Sequence, residues 1–530
     1  MKRAALLLGT IGLATGATAQ SLPADQAAMK AHVAYLASDA LRGREAGTPD
    51  YDKAAAYVAD QMRAAGLVPA GDDGSWFQKV PLFVSKARAE PVVTLDGAPL
   101  VFGTDYTMRG VAPAAMLDIT APVVFAGYGV VDPASGRDDY RGLDVRGKIV
   151  AVLYSGPKGL NSEVAAHLGN RVDRARIAAA RGAVGMVYLW TTQLASVLPF
   201  ERAARNWDDR GVTWANPDGS PRDPGAPGLA VLSFSGAAKL FAGSAITWDA
   251  VKAADDAGRA VPTGPLAVTL KATERFDISR VGSENVVGRL PGGDPRRAAQ
   301  VVVLSAHLDH IGITRPVNGD TINNGAMDNA IGVASLLEAA ELFKASGKAS
   351  ARSVLFLAVT AEEKGLIGSD YFATHPTVPK ADIVADVNLD MPILTYRFTD
   401  LVAFGADRSS IGPTVARVAK AEGLALTPDP TPEQADFVRT DHYSFVRQGI
   451  PAISLTPGPA GPGKAAIEDF LEHHYHQPSD DMSLPFDWAA GRAFVKINYQ
   501  IARAIADAPD RPRWVKGDYF GTAFKGPMAN

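Results

Sequence analysis

The chain has no cysteine among its 530 residues. That excludes thiol catalysis, disulfides and thiolate-bound zinc, so any metal must be held by His and carboxylate. Positive charge is not in excess either. Fifty-three Lys and Arg face 57 Asp and Glu, a formal net charge of -4, which offers no basic field to nucleic acid or anionic lipid. Long apolar runs are missing, so no membrane span is expected. The one short run, Ala4 to Ala14, follows Lys2 and Arg3 and precedes Ala17-Thr18-Ala19, a small-residue cleavage pattern. We expect residues 1–19 to be an export leader, with a mature chain of charge -6 in the periplasm or outside the cell. Lacking cysteine, such a chain needs no oxidising compartment to fold. It carries no signal for an oligomeric state.

What is present is the composition of a globular protein, 47% hydrophobic and 21% charged. The length calls for two or three domains. Residues 20–114 begin with helical periodicity (Met29, Val33, Leu36, Leu41, then Ala55, Val58, Met62, Leu67) and continue as strands. Residues 115–270 read as an inserted domain. It has the buried-type strands PVVFAGYGVV and GKIVAVLYSG, a helix from Val172 to Gly182 and the loop NPDGSPRDPGAPG. His167 is its only His and is read as a packed residue. From residue 271 to 508 strands alternate with helices: NVVGRL, QVVVLSA, SVLFLAV, ADIVADVNL and PAISLT. This predicts an α/β domain with a mostly parallel central sheet. Residues 509–530 read as a surface tail.

Five metal-ligand residues fall where these strands end: His307, Asp328, Glu363, Asp390 and His476. In parallel sheets ligands bind beyond the carboxyl ends of strands, so this placement points to one shared site. Two His and three carboxylates are too many for one structural zinc and suit two divalent ions sharing a carboxylate. Taken singly, each residue has a plainer reading: a lone His packs in a core, and a lone Asp before a helix caps it. Asp309, two residues after His307, either fixes the imidazole tautomer or holds the loop. Glu362 and Glu363 would repel side by side without a cation; one is read as ligand and one as base. Asp386 competes with Asp390, and His442, His473 and His474 compete with His476. The chemistry follows. Two cations acidify a water, Glu362 takes its proton and passes it to the leaving amine, and Tyr475 stabilises the oxyanion.

The runs SENVVGRLPG, AHLDHIG, GAMDNAIGVASLLE, TAEEKGLIGSDYF, VNLDM, DHYSFVRQGIPAI and YHQPSDD, in that order, resemble the di-zinc exopeptidase family. That family includes secreted bacterial aminopeptidases and glutamate carboxypeptidase II. The resemblance covers about 200 residues and implies two Zn2+ per chain. It assigns His307 and Asp390 to one ion, Glu363 and His476 to the other, Asp328 to the bridge, Glu362 as base and Tyr475 as oxyanion donor. The segment from PVVFAGYGVV to AAARGAVGMVY resembles a β-rich protease-associated (PA) domain. The expected activity is removal of N-terminal residues from peptide substrates. Alternatives are a carboxypeptidase, with Arg44, Arg439 and Arg447 as candidates for the substrate carboxylate, a single-zinc glutaminyl cyclotransferase, and a receptor-like homologue without catalysis.

Overall fold

A computed structural model describes residues 22–108, 110–205, 207–222 and 225–530. The expected leader lies outside these residues. The strands Val301–His307, Ser353–Val359 and Ile383–Asn388 are buried along their whole length. That explains their unbroken apolar sequence: both faces of a parallel sheet are covered. Ser353–Val359, Val301–His307, Ile383–Asn388 and Ala452–Pro457 lie side by side in that order, all parallel. Asp400–Phe404 continues the sheet antiparallel beyond Ala452–Pro457. On the other side the long strand Gly264–Leu290 pairs antiparallel with Ser353–Val359 and with Phe77–Ala87. The expected α/β class with a mostly parallel centre is what the structure has.

Helices Ala24–Leu36, Pro49–Ala64, Ile331–Ala345 and Trp488–Asp507 share a core with one face of this sheet. Pro49–Ala64 shows why the chain is helical there. The Thr48 side chain caps it by accepting from the Tyr51 N–H, Pro49 opens it, and Asp50 and Asp52 sit at its positive end. Its buried residues Tyr51, Ala55, Val58 and Met62 recur at helical spacing.

A second sheet is built from residues 92–272. Strands Met116–Phe125, Ile149–Leu153, Gly185–Leu189 and Gly228–Leu232 are parallel neighbours, with Val92–Leu95 and the first half of Gly264–Leu290 on one edge. This unit alternates strands with six helices among the described residues, more helix than the β-rich pattern expected of it. Gly264–Leu290 therefore runs through both sheets as one 27-residue strand. One hydrophobic core continues from the second sheet onto the first, joining Leu270 and Phe276 to Val303, Leu355 and Phe445.

Side-chain contacts reinforce this union. Arg447 pairs with Asp173 at 2.7 and 2.9 Å. The Tyr443 hydroxyl lies 2.6 Å from His167 Nδ1. His167 is half-buried against the rings of Phe520 and Phe524, a packed residue as expected. The tail departs from expectation. Trp514 and Phe520 are fully buried, and the Trp514 indole donates to the Gly449 carbonyl at 2.8 Å.

Candidate metal centre

Each site residue stands at the carboxyl edge of the parallel strands. His307 closes its strand. Glu362 and Glu363 lie just past Val359, and Asp390 lies two residues past Asn388. Asp328 sits in the turn that opens Ile331–Ala345, and His476 follows helix Gly463–His473. Three of these positions adjoin or occupy left-handed backbone: Ala361 (φ 54°), Met391 (φ 40°) and His476 itself (φ 56°). Non-glycine residues rarely adopt that region, and such strain gathers at functional sites because the surrounding fold must hold it.

The donor atoms form two sets that share Asp328. His307 Nε2 lies 3.2 Å from Asp328 Oδ1 and 3.0 Å from Asp390 Oδ1. His476 Nε2 lies 3.3 Å from Asp328 Oδ2 and 3.0 Å from Glu363 Oε2. Ligands about 2.0 Å from a tetrahedral ion sit about 3.3 Å apart, so both sets fit a zinc-sized ion, one on each oxygen of Asp328. The electrostatics fit too. Burial pushes Glu362 up from the ordinary carboxylate range despite nearby His307, and Glu363 and Asp390 push it further. Burial works against the charge on His307, but Asp390 and Glu362 draw a proton onto it. Positive charge is wanted where the two sets converge.

Supporting bonds orient the donors. His307 Nδ1 faces the Asp309 backbone carbonyl at 3.1 Å. A carbonyl only accepts, so Nδ1 carries the proton and Nε2 keeps its lone pair for a metal. The Asp309 carboxylate holds the loop instead, accepting the Glu362 N–H at 3.0 Å and the Glu363 N–H at 3.4 Å. Asp480 does the same for the bridging residue, accepting from the Met327 and Asp328 N–H groups at 2.8 and 3.0 Å. Burial lifts Asp480 to about 7. Asn329 ties the turn of Asp328 to the loop of Asp390 by donating to the Leu389 carbonyl and accepting from the Met391 N–H. Tyr475 stacks on the His476 ring at 3.9 Å. Burial and then Asp328, Glu363 and Glu362 push its phenol up, which keeps it a hydrogen-bond donor.

The rival ligands fall away from the cluster. Asp386 is fully buried in its strand and accepts from the Ser305 hydroxyl at 2.9 Å. His473 is exposed and pairs with Asp469, and His442 Nδ1 lies 2.6 Å from the Thr440 hydroxyl. Two of the three candidate arginines are already engaged. Arg44 is buried, its guanidinium donating to the carbonyls of Leu308, Leu36, Asn324 and Gly325 at 2.9, 2.6, 2.6 and 3.1 Å. Arg447 is spent on Asp173. Arg439 remains half-exposed, 3.7 Å from Asp436.

Residues 285–502 match the model of Peptidase family M28. The match takes in less than half of the chain. The matched segment holds all seven predicted site residues. Leupeptin-inactivating enzyme 1 of Streptomyces exfoliatus is 28% identical over 252 residues, 45% of this chain and 52% of the relative. Leucine aminopeptidase 1 of Arthroderma gypseum is 28% identical over 250 residues, 44% of this chain and 63% of the relative. The chain thus spans between half and two thirds of the length of these relatives. An aminopeptidase from Aneurinibacillus sp. strain AM-1 shares the fold, with a TM-score of 0.53 over 92% of this chain and 95% of that one, at 18% identity.

Within the matched segment, sequence reasoning gave no role to His310, Asn329 or Asp480. His310 was visible as the second His of AHLDHIG, and Asp480 in the Pro-Ser-Asp-Asp that follows His476. Nothing local marked their partners, which lie across the fold.

Proposed function

We propose that the chain is an exported di-zinc aminopeptidase. The observation that carries this reading is the pair of three-donor sets meeting at Asp328, with Glu362 and Tyr475 beside them. His307 and Asp390 would hold one ion and Glu363 and His476 the other, with Asp328 shared between them. Two zinc ions there would polarise a scissile carbonyl and acidify a water. Glu362, part-buried beside both sets, accepts the proton of the attacking water and returns it to the departing amine. Its pull towards protonation by burial suits a group that must hold that proton between the two transfers. Tyr475, protonated at working pH, donates to the oxygen that gains charge.

Removal of N-terminal residues is favoured over carboxypeptidase action by the state of the arginines. A carboxypeptidase needs guanidinium groups free to face a substrate carboxylate, and Arg44 and Arg447 are both committed within the protein. The carboxylates of Glu362 and Asp390 at the centre suit a substrate amine. The relatives named as leucine aminopeptidases support the same reading. Residues 1–19 serve as leader. The unit between about residues 115 and 270, read as a PA-like insertion, bounds access to the centre. Residues 20–114 and 271–508 are read as the catalytic domain, although residues 92–107 pair into the second sheet and residues 509–530 are anchored in the shared core by Trp514 and Phe520. The test is a panel of amino-acyl p-nitroanilides and N-blocked peptides, with zinc counted on the same sample. Free-amine substrates should be cleaved and blocked ones spared, at close to two zinc ions per chain. Cleavage of blocked peptides from their carboxyl end would overturn it.

A further inference from the structure

A third imidazole stands at the second metal position. His310 is fully buried, and its Nδ1 lies 2.7 Å from Glu363 Oε1. Neither atom has another hydrogen-bond partner among the described residues. Two lone pairs at that distance would repel, so a proton or a cation must lie between them. His310, Asp328 and Glu363 are close enough to gather round one ion, but His310 Nδ1 is 3.9 Å from Asp328 Oδ2 where His476 Nε2 is 3.3 Å, the tetrahedral edge being about 3.3 Å. With His476 the better-placed ligand, the contact between Nδ1 and Oε1 is a hydrogen bond and Nδ1 carries the proton. Glu363 then uses its two oxygens differently: Oε2 faces His476 at 3.0 Å and Oε1 faces His310.

The ring has no room to turn. Gly325 passes over it so closely that a Cβ there would come within 2.6 Å of His310 Cγ and Cδ2, and Gly325 itself is left-handed at φ 61°. The same turn carries Asp328 three residues later. On its other side the ring meets His476 edge-on, with centroids 5.8 Å apart.

We propose that His310 is a positioning residue for the second metal ion: its Nδ1–H holds Oε1 of Glu363, so that Glu363 presents Oε2 alone beside His476. This rests on the reading that Glu363 and His476 hold an ion. Without His310, Glu363 is free to rotate or to chelate through both oxygens, and the second ion should bind less tightly while the first, on His307 and Asp390, is unaffected. Outer partners of this kind govern metal affinity by about 10- to 100-fold.

The test is stepwise zinc binding by chelator competition, with the visible spectrum of the cobalt-loaded protein, on the full chain and two variants. His310→Leu fills the space but has no donor. His310→Asn returns a side-chain N–H close to the place of Nδ1. The Leu variant should lose about 10- to 100-fold in affinity for the second ion only, and the Asn variant should recover most of it with an unchanged cobalt spectrum. Unchanged zinc affinities in the Leu variant would overturn the inference and leave the two-ion reading standing. An Asn variant that loses the second ion, or whose cobalt spectrum reports one nitrogen ligand fewer, would overturn it by making His310 a ligand. If the Leu variant does not fold, the Asn result decides alone. A wild-type chain that takes up one ion would overturn the underlying reading itself.

Discussion

Replacing Arg44 by Met should damage stability far more than substrate affinity. The guanidinium reaches four backbone carbonyls on three separate stretches of chain, at Leu36, Leu308 and Asn324-Gly325. These stretches are the end of the first helix, the residue after His307 and the turn ahead of Asp328. Burial lowers Arg44 to about 10, against the pull of Asp480, Asp309, Asp328 and Glu363, so it is charged at neutral pH. Met keeps most of the volume and removes the charge and every donor. A buried acceptor left bare costs about 1–3 kcal/mol. Some of the four will find water, and removing one partner of a buried charged network costs about 3–5 kcal/mol in all. We expect a loss of that size in urea unfolding, a large share of the stability of an ordinary domain. Lys should recover part of it, since an ammonium cannot span the same fork of acceptors. A rise in KM with stability changed by less than about 1 kcal/mol would refute this reasoning and make Arg44 a substrate group.

Four further outcomes are expected. Glu362→Gln should retain both ions yet lose activity by on the order of 100-fold or more, because an amide cannot accept the proton, whereas Glu363→Gln should weaken one ion and be partly rescued by added zinc; metal counts and kcat on both variants separate the roles. Asp328→Ala should lose both ions together, and retention of one at full occupancy would remove the bridge. Reversing one partner of Asp173 and Arg447 should destabilise the chain and the double reversal should restore it, with a coupling of about 0.5–3 kcal/mol in a double-mutant cycle; additive effects would mean the pair contributes nothing. Glu274 is buried with both oxygens unpaired, and burial lifts it to about 9. The unfolded chain releases that proton near 4.5 and the folded one holds it to about 9, so stability should fall as pH rises between those values, by about 3 kcal/mol at pH 7. Glu274→Gln should flatten this slope in unfolding measured from pH 5 to 9, and an equally steep slope in the variant would clear Glu274 of the effect.

The parallel sheet and the cluster at its edge were readable because both depend on local pattern. An apolar run that stops at His307, or at Val359 just before a carboxylate pair, announces a strand end whatever lies elsewhere. The choice of Asp390 over Asp386 followed from the same kind of pattern, since Asp390 stands next to Met391-Pro392, past the apolar run that ends at Asn388. What could not be read depends on distant contacts. Arg44 looks like any surface arginine in LRGREAG, and only the fold brings Leu308 and Asn324 around it. His310 is three residues from His307, but its meaning comes from Glu363, 53 positions away. The strand Gly264–Leu290 was split in two by expectation, because the inserted domain is expected to end at residue 270 and the next strand is read only from NVVGRL onward. In the structure Gly282 is an ordinary extended residue paired with Pro81.

That undivided strand has a mechanical consequence. Proteins that open and close around a substrate do so at a few backbone positions free to change their dihedral angles. Here one of the links between the two sheets is a beam, hydrogen-bonded on its flanks along both halves, and bending it would break ladder bonds in either sheet. Tugging on the second unit should therefore load the same strand that borders Ser353–Val359, whose end leads to Glu362 and Glu363. The two units should unfold in a single transition, and amide exchange along residues 270–286 should be as slow as in the central parallel strands.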